Sequence, residues 1–418
     1  MYRRSDPILC SLVLVAGLHS SGAAAATRTV CWQMRFVDER IGCPTSSMAG
    51  AQRACRHDAG YSRPVGHYVE LWDYDSDDTD EYIGTWVLSD DSETCATFEW
   101  EGESYSTTEA DPDVYVKYIN RVRKIGCSEC LHVDGVDGDG DDVADISWRA
   151  NRVTDCENGS SCRILPGGYL VPNLDETSTT ARRVMALDSV QHSLDVYDDV
   201  MTDHVEMRFP CDGCTISSAP SKTRFDLDDD DSPASKAPNH EFGHVLAQQL
   251  LNRDSLRCDY LGADHTYTSH EYESGAVCEG WADYVSAVSW WDPQNTSSEP
   301  YLGDFLRALE EPDPYHDTCS DNADTELAVA KAFWDIDDID NESSVSPGTY
   351  DDDNAYSTTG IATGWTYFPN GTGNHDDLES DENGVNLRDY YYNTIGYFTS
   401  SIYYTLIYHN CLQAQDSG

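Results

Sequence analysis

The string His240-Glu-Phe-Gly-His244-Val-Leu-Ala limits what this 418-residue chain can form more than any other feature. Residues four apart on an α-helix lie one turn apart on the same face, so both imidazoles can reach one metal ion. Glu241 lies beside them, close to where a metal-bound water would sit. A second pair follows in Cys278-Glu279-Gly-Trp-Ala-Asp283-Tyr, again spaced by four, so that Glu279 and Asp283 share a helical face. The bland alternatives are a helix with two incidental histidines and a solvated acidic face.

A metal held by two histidines needs a third protein ligand, and its identity separates families. The metzincin pattern requires His six positions after His244 and Gly three positions after it; Leu250 and Ala247 stand there instead. The two strings in this order resemble the gluzincins, the thermolysin-like clan of zinc metallopeptidases. That resemblance implies zinc on His240, His244 and Glu279, with Asp283 accepting a hydrogen bond from the far nitrogen of His240 and fixing its tautomer. It also implies Glu241 as the general base that deprotonates a zinc-bound water attacking a peptide carbonyl. Glu271 and Glu273 are rival third ligands, but neither is followed by a carboxylate or His four positions on. The 35 positions from His244 to Glu279 exceed the thermolysin spacing, as an inserted loop carrying Cys258, His265 and His270 would explain. For the oxyanion-stabilising group of the clan the candidate is His375, in Asn370-Gly-Thr-Gly-Asn-His-Asp, with nearby tyrosines and a plain surface histidine as competing readings. By the same analogy an edge strand just before the zinc helix, at Thr223 to Leu227, would pair with extended substrate. The following run Asp228 to Asp231 would favour basic substrate residues or bind calcium.

Arg3 and Arg4, an apolar run from Ile8 to Leu18 and small residues at Ala23 to Ala26 read as a signal peptide over 1–26, cleaved near Ala26. No later stretch is long and apolar enough to span a bilayer. Of 15 cysteines, Cys10 lies in the signal and the remaining even set favours disulfides in an exported chain. Cys127/Cys130 and Cys211/Cys214 have C-x-x-C spacing, for which zinc or redox chemistry is the alternative. Cys258 and Cys278 flank the loop between the two motif helices and are expected to pair. A net charge of −50 argues against nucleic acid or an anionic membrane surface as partner, and the gluzincin resemblance implies a protein or peptide substrate.

The fold class expected is multi-domain: an all-β sandwich at 27–125, a Cys/Asp-rich linker at 126–165 and a mainly helical α+β zincin-type metallopeptidase domain at 166–418. Alternation at 67–73, 82–88, 97–100 and 113–119 supplies the strands of the first part. The order "Val-Glu-Leu-Trp-Asp-Tyr-Asp", an acidic loop, "Tyr-Ile-Gly-Thr" and "Asp-Pro-Asp-Val-Tyr-Val-Lys" resembles transthyretin-like sandwiches over about sixty residues. In the second part Val184, Leu187, Leu194, Tyr197 and Met201 mark one face of a long helix, with strands at Val205 to Phe209 and Thr223 to Leu227. Further helices are expected at 239–251, 276–291, 301–311 and 325–336, and a C-terminal one bearing Ile395, Phe398, Ile402 and Leu406. The functional alternative to a secreted peptidase is a catalytically idle zinc- and calcium-binding, adhesin-like binding protein.

Carboxylates alternating with glycine at Asp137, Asp139 and Asp141, with Asp145 four beyond, would let a tight loop turn its oxygens onto calcium. Asp142 stands where the usual Gly would be, and a disordered acidic linker is the competing reading. Millimolar calcium is expected to slow proteolytic nicking between Cys130 and Cys156, and an Asp139→Ala/Asp141→Ala variant to lose that protection. An unchanged nicking rate in the wild type would leave the run as solvated chain.

Overall fold

The computed structural model describes residues 26–37, 61–89, 94–100, 112–136, 154–155, 161–164, 179–228, 236–258, 273–293, 326–337 and 361–362, with short gaps inside several ranges. The signal segment before Ala26, Asp137, Asp139, Asp141 and Asp145, the helices expected at 301–311 and near the C-terminus, and His375 lie outside the described residues.

The strands of the first part are β1 (Ala26–Trp32), β2 (Phe36–Val37), β3 (Tyr61–Ser62), β4 (His67–Asp73), β5 (Glu81–Val87), β6 (Thr94–Trp100) and β7 (Asp113–Arg123). Then come β8 (His132–Val136), β9 (Thr154–Asp155), β10 (Ser161–Ile164) and the helix α1 (Thr179–Tyr197). The remainder is β11 (Val205–Arg208), β12 (Ser218–Ser221), β13 (Arg224–Asp226), α2 (Lys236–Leu251), α3 (Glu273–Trp290) and α4 (Glu326–Asp337).

The alternation read from sequence appears as alternating burial. In β4 His67, Val69, Leu71 and Asp73 face inward, while Tyr68, Glu70 and Trp72 are half-exposed. One mixed sheet runs β12-β13-β11-β8-β7-β4-β5, with β9 added beside β7, and a smaller sheet runs β10-β1-β6. Cys31 and Cys95 are directly opposite in the β1–β6 ladder and form a disulfide. Val30, Trp32 and Ala96 from the small sheet share an apolar cluster with Val69, Leu71, Val114 and Val116 from the large one. Strand β8 lies within 126–165 and pairs antiparallel with β7 and parallel with β11, so hydrogen bonding is continuous from β4 to β13.

Helix α1 joins two cores. Val184 and Met185 belong to the cluster between the sheets, whereas Leu187, Val190, Leu194 and Tyr197 belong to the larger cluster with α2, α3 and α4. Met201 departs from the expected helical face: the chain tightens into a 3-10 turn at Asp198–Val200 and then extends. The side chain is nevertheless buried, because the apolar cluster accepts it from the loop. The strand at Thr223 to Leu227 is not an edge. The chain preceding it folds back as β12 and covers its free side, so β13 lies between β12 and β11. The outer strand is then tied to α2, because Gln248 Nε2 donates to the Ala219 carbonyl at 2.8 Å.

The helical layer is set by two close approaches. A Cβ on Gly243 would lie 2.8 Å from the Ala282 Cα, so α2 and α3 touch backbone to backbone there. Trp281 Nε1 donates to the Gly243 carbonyl at 3.0 Å across the same contact. A Cβ on Gly280 would meet the Glu326 carbonyl at 2.6 Å, which is where α4 rests on α3, and Tyr284 Oη donates to Asp337 at 2.7 Å. The expected Cys258–Cys278 disulfide is present and ties the entry of α3 to the chain beyond α2. Cys211 and Cys214 are joined, and Cys130 is also disulfide-bonded. Among the described residues no helix is long and apolar enough to cross a membrane.

Gly243→Ala is expected to push α2 from α3, because the obstructing atom is backbone and cannot rotate away. The cost should be about 1–3 kcal/mol, the usual range for overpacking, read as a lower urea midpoint at unchanged slope. An unchanged midpoint would mean the helices have slack at this point.

Candidate metal centre

Four side chains converge across the α2–α3 contact. His240 and His244 stand one turn apart on α2, and Glu279 and Asp283 stand one turn apart on α3. Because Gly243 lies between the two histidines in sequence and packs on Ala282, the closest approach of the helices falls level with the four groups. His240 Nε2 is 2.9 Å from Glu279 Oε2, and His244 Nε2 is 3.3 Å from the same oxygen. One donor atom from each of His240, His244 and Glu279 lies within 4.8 Å of the other two, a set that could hold a metal ion. Asp283 Oδ1 is 2.7 Å from His240 Nδ1.

The surroundings are nearly dry. Asp283 is fully buried, Glu279 almost so, and the imidazoles show about an eighth of their surface, at 15% and 12% for His240 and His244. Burial by itself opposes a positive charge on His240. The hydrogen bonds and negative charges of Asp283 and Glu279 outweigh it and hold the His240 pKa well above its ordinary value. Burial likewise opposes ionisation of Glu279, but the charge of His244 and hydrogen bonds from both histidines bring its pKa well below normal. For Asp283 the burial penalty is outweighed by the Lys236 ammonium and the His240 hydrogen bond, which lower its pKa. Both ring nitrogens of His240 thus face a carboxylate oxygen, Nδ1 toward Asp283 and Nε2 toward Glu279. His240, His244 and Glu279 would offer a divalent cation two imidazole nitrogens and one carboxylate oxygen, a donor set suited to zinc. The residues present fit such an ion.

Glu241 follows His240 on α2 and is buried, at 7% exposure. The structure thus brings together His240, His244, Glu279 and Asp283, with Glu241 adjoining on the helix. Glu271 is outside the described residues, and Glu273 opens α3. Two contributors escaped the sequence reading. One is Trp281, whose indole bridges to α2. The other is Lys236, whose Nζ is 3.0 Å from Asp283 Oδ1. Its signal was its place four residues before His240, hidden because the helix starts at 236 rather than 239.

A second group of potential ligands, Cys211, Cys214 and Asp226, lies between β11 and β13. Its sulfurs are joined to each other, and Arg224 Nη2 occupies Asp226 at 2.9 Å, so its donors are already engaged.

No family model matches the chain, and no curated protein matches it. Among solved structures, a 9R-lipoxygenase from Cyanothece PCC8801 aligns at 12% identity over 44% of this chain and 25% of its own, with a TM-score of 0.16. The chain thus spans a quarter of that protein's length, and a likeness of this size carries no argument about fold or chemistry.

The pKa directions give a pH dependence for metal-stripped protein. His240 is raised in the folded state, so its contribution is complete below about pH 6.5 and is lost as pH rises through the folded pKa. Glu279 and Asp283 are lowered, so their contribution is complete above about pH 4.5 and is lost as pH falls through their folded values. Melting temperature in chelator should therefore fall as pH rises from about 6.5, and His240→Asn should flatten that limb. A limb identical in wild type and variant would contradict the His240 assignment.

Proposed function

We propose that this chain is an exported zinc-dependent peptidase, with His240, His244 and Glu279 holding the metal and Glu241 as general base. The observation that carries the reading is the convergence of those three ligand groups within 4.8 Å, with Asp283 seated on the far nitrogen of His240. It is supported by the order of the motifs, the thermolysin-like Glu-x-x-x-Asp string included, and by the disulfides, which suit an oxidising compartment. The leader at 1–26 would direct export.

When bound, zinc supplies Lewis acidity toward a carbonyl oxygen and acidifies a coordinated water. The chain's own residues supply the rest. Asp283 accepts a hydrogen bond from His240 Nδ1–H, which orients the ring and would leave the Nε2 lone pair for the metal. Glu241 takes a proton from the attacking water as its oxygen bonds to the peptide carbon. The same carboxyl then gives that proton to the leaving nitrogen as the C–N bond breaks. In this reading His375 remains the candidate partner of the carbonyl oxygen, and Asp137, Asp139, Asp141 and Asp145 the candidate calcium ligands. The substrate is a protein or peptide.

One equivalent of zinc per chain is expected, with tight binding abolished by His240→Ala, His244→Ala or Glu279→Ala. Glu241→Gln should retain the metal and lose about two to four orders of magnitude in rate. Casein clearing by the purified protein, with and without 1,10-phenanthroline, tests the activity. Zinc uptake without hydrolysis of any peptide substrate would instead favour a metal-bearing binding protein. Retention of full zinc by Glu279→Ala, with loss in Glu271→Ala or Glu273→Ala, would overturn the ligand assignment.

A further inference from the structure

Asp283 is shared. Its Oδ1 lies 2.7 Å from His240 Nδ1 and 3.0 Å from Lys236 Nζ, so one buried carboxylate oxygen receives both an imidazole and an ammonium donor. Lys236 and His240 are four apart on α2, which puts both above the same turn of α3. The contact is not a loose surface pair, because Asp283 is buried and the lysine side chain is only 21% exposed. The position is also costly for a cation. Lys236 opens α2, where the helix dipole favours negative charge, and the first turn holds no acidic residue to offset it. The chain has five lysines among 418 residues, so a lysine here is not a by-product of a basic surface.

From this the geometry points to Lys236 as a positioning residue for the metal centre: it fixes the Asp283 carboxylate in the orientation that holds His240 for metal. The inference rests on the zinc reading above and concerns a residue that reading does not use. Two carboxylates, Glu279 and Asp283, face His240 from one helix, and each could turn toward the ring or away from it. An ammonium anchored on the His240 helix pulls Asp283 toward Nδ1 and leaves Glu279 alone on the Nε2 side. The route from Lys236 to His240 runs through Asp283, whose Oδ1 meets both side chains.

The test is zinc affinity of the full chain, measured by competition of zinc chloride against a chromophoric chelator. Lys236→Met keeps the aliphatic stem and removes the donor, and should weaken zinc by about tenfold or more, the scale of lost outer partners of a metal ligand. Lys236→Arg should restore most of the affinity. In an Asp283→Asn background, Lys236→Met should cause no further loss, because the two act in series. Lys236→Gln, which retains a hydrogen-bond donor without the charge, serves if the Met variant does not fold, and should fall below wild type. Equal zinc affinity in wild type and Lys236→Met (or Lys236→Gln), or an undiminished loss in the Asp283→Asn background, would overturn the inference while leaving the metal reading intact. Failure of the wild type to take up zinc would instead overturn the metal reading, and this inference with it.

Discussion

Backbone contact between α2 and α3 at Gly243 and Ala282 is the constraint on which the site depends. Two helices bearing ordinary side chains pack with axes about 8–10 Å apart. Short side chains such as Glu279 and Asp283 can clasp an imidazole on the opposite helix only where the backbones come close. Glycine on one side and alanine on the other permit this, and the Trp281 hydrogen bond to the Gly243 carbonyl locks the relative height of the helices. The four chemical groups then occupy successive turns on either side of one packing point.

That closeness concentrates charge where water is scarce. Glu241, Glu279 and Asp283 are all buried within a short span of α2 and α3, in a protein whose net charge is already −50. Uncompensated, buried carboxylates are strongly destabilising. The structure answers with His240, whose pKa is held above its ordinary value, and with Lys236, each placed against a carboxylate oxygen. Two buried carboxylates and two imidazoles thus converge in a setting that favours positive charge. The sheet behind the helices gives rigidity: α1 spans both apolar clusters, and the β12–β13 hairpin is pinned to α2 through Gln248 and Gln249.

The sequence by itself determined the local pieces of this site. Period-four spacing put His240 with His244 and Glu279 with Asp283, because helix geometry alone decides which side chains share a face. Alternation marked β4, β5, β6 and β7, and the cysteine positions suggested the Cys258–Cys278 link. Tertiary structure decided what local periodicity does not contain. It placed Thr223 to Leu227 inside the sheet, since strand neighbours depend on how the chain folds back and not on the strand's own residues. It drew β8 out of an acidic, cysteine-rich stretch into continuous pairing with β7 and β11. It also brought Lys236 to Asp283 across 47 positions of chain, because an ion pair between helices depends on their relative height, which the Gly243–Ala282 contact sets and no single helix encodes.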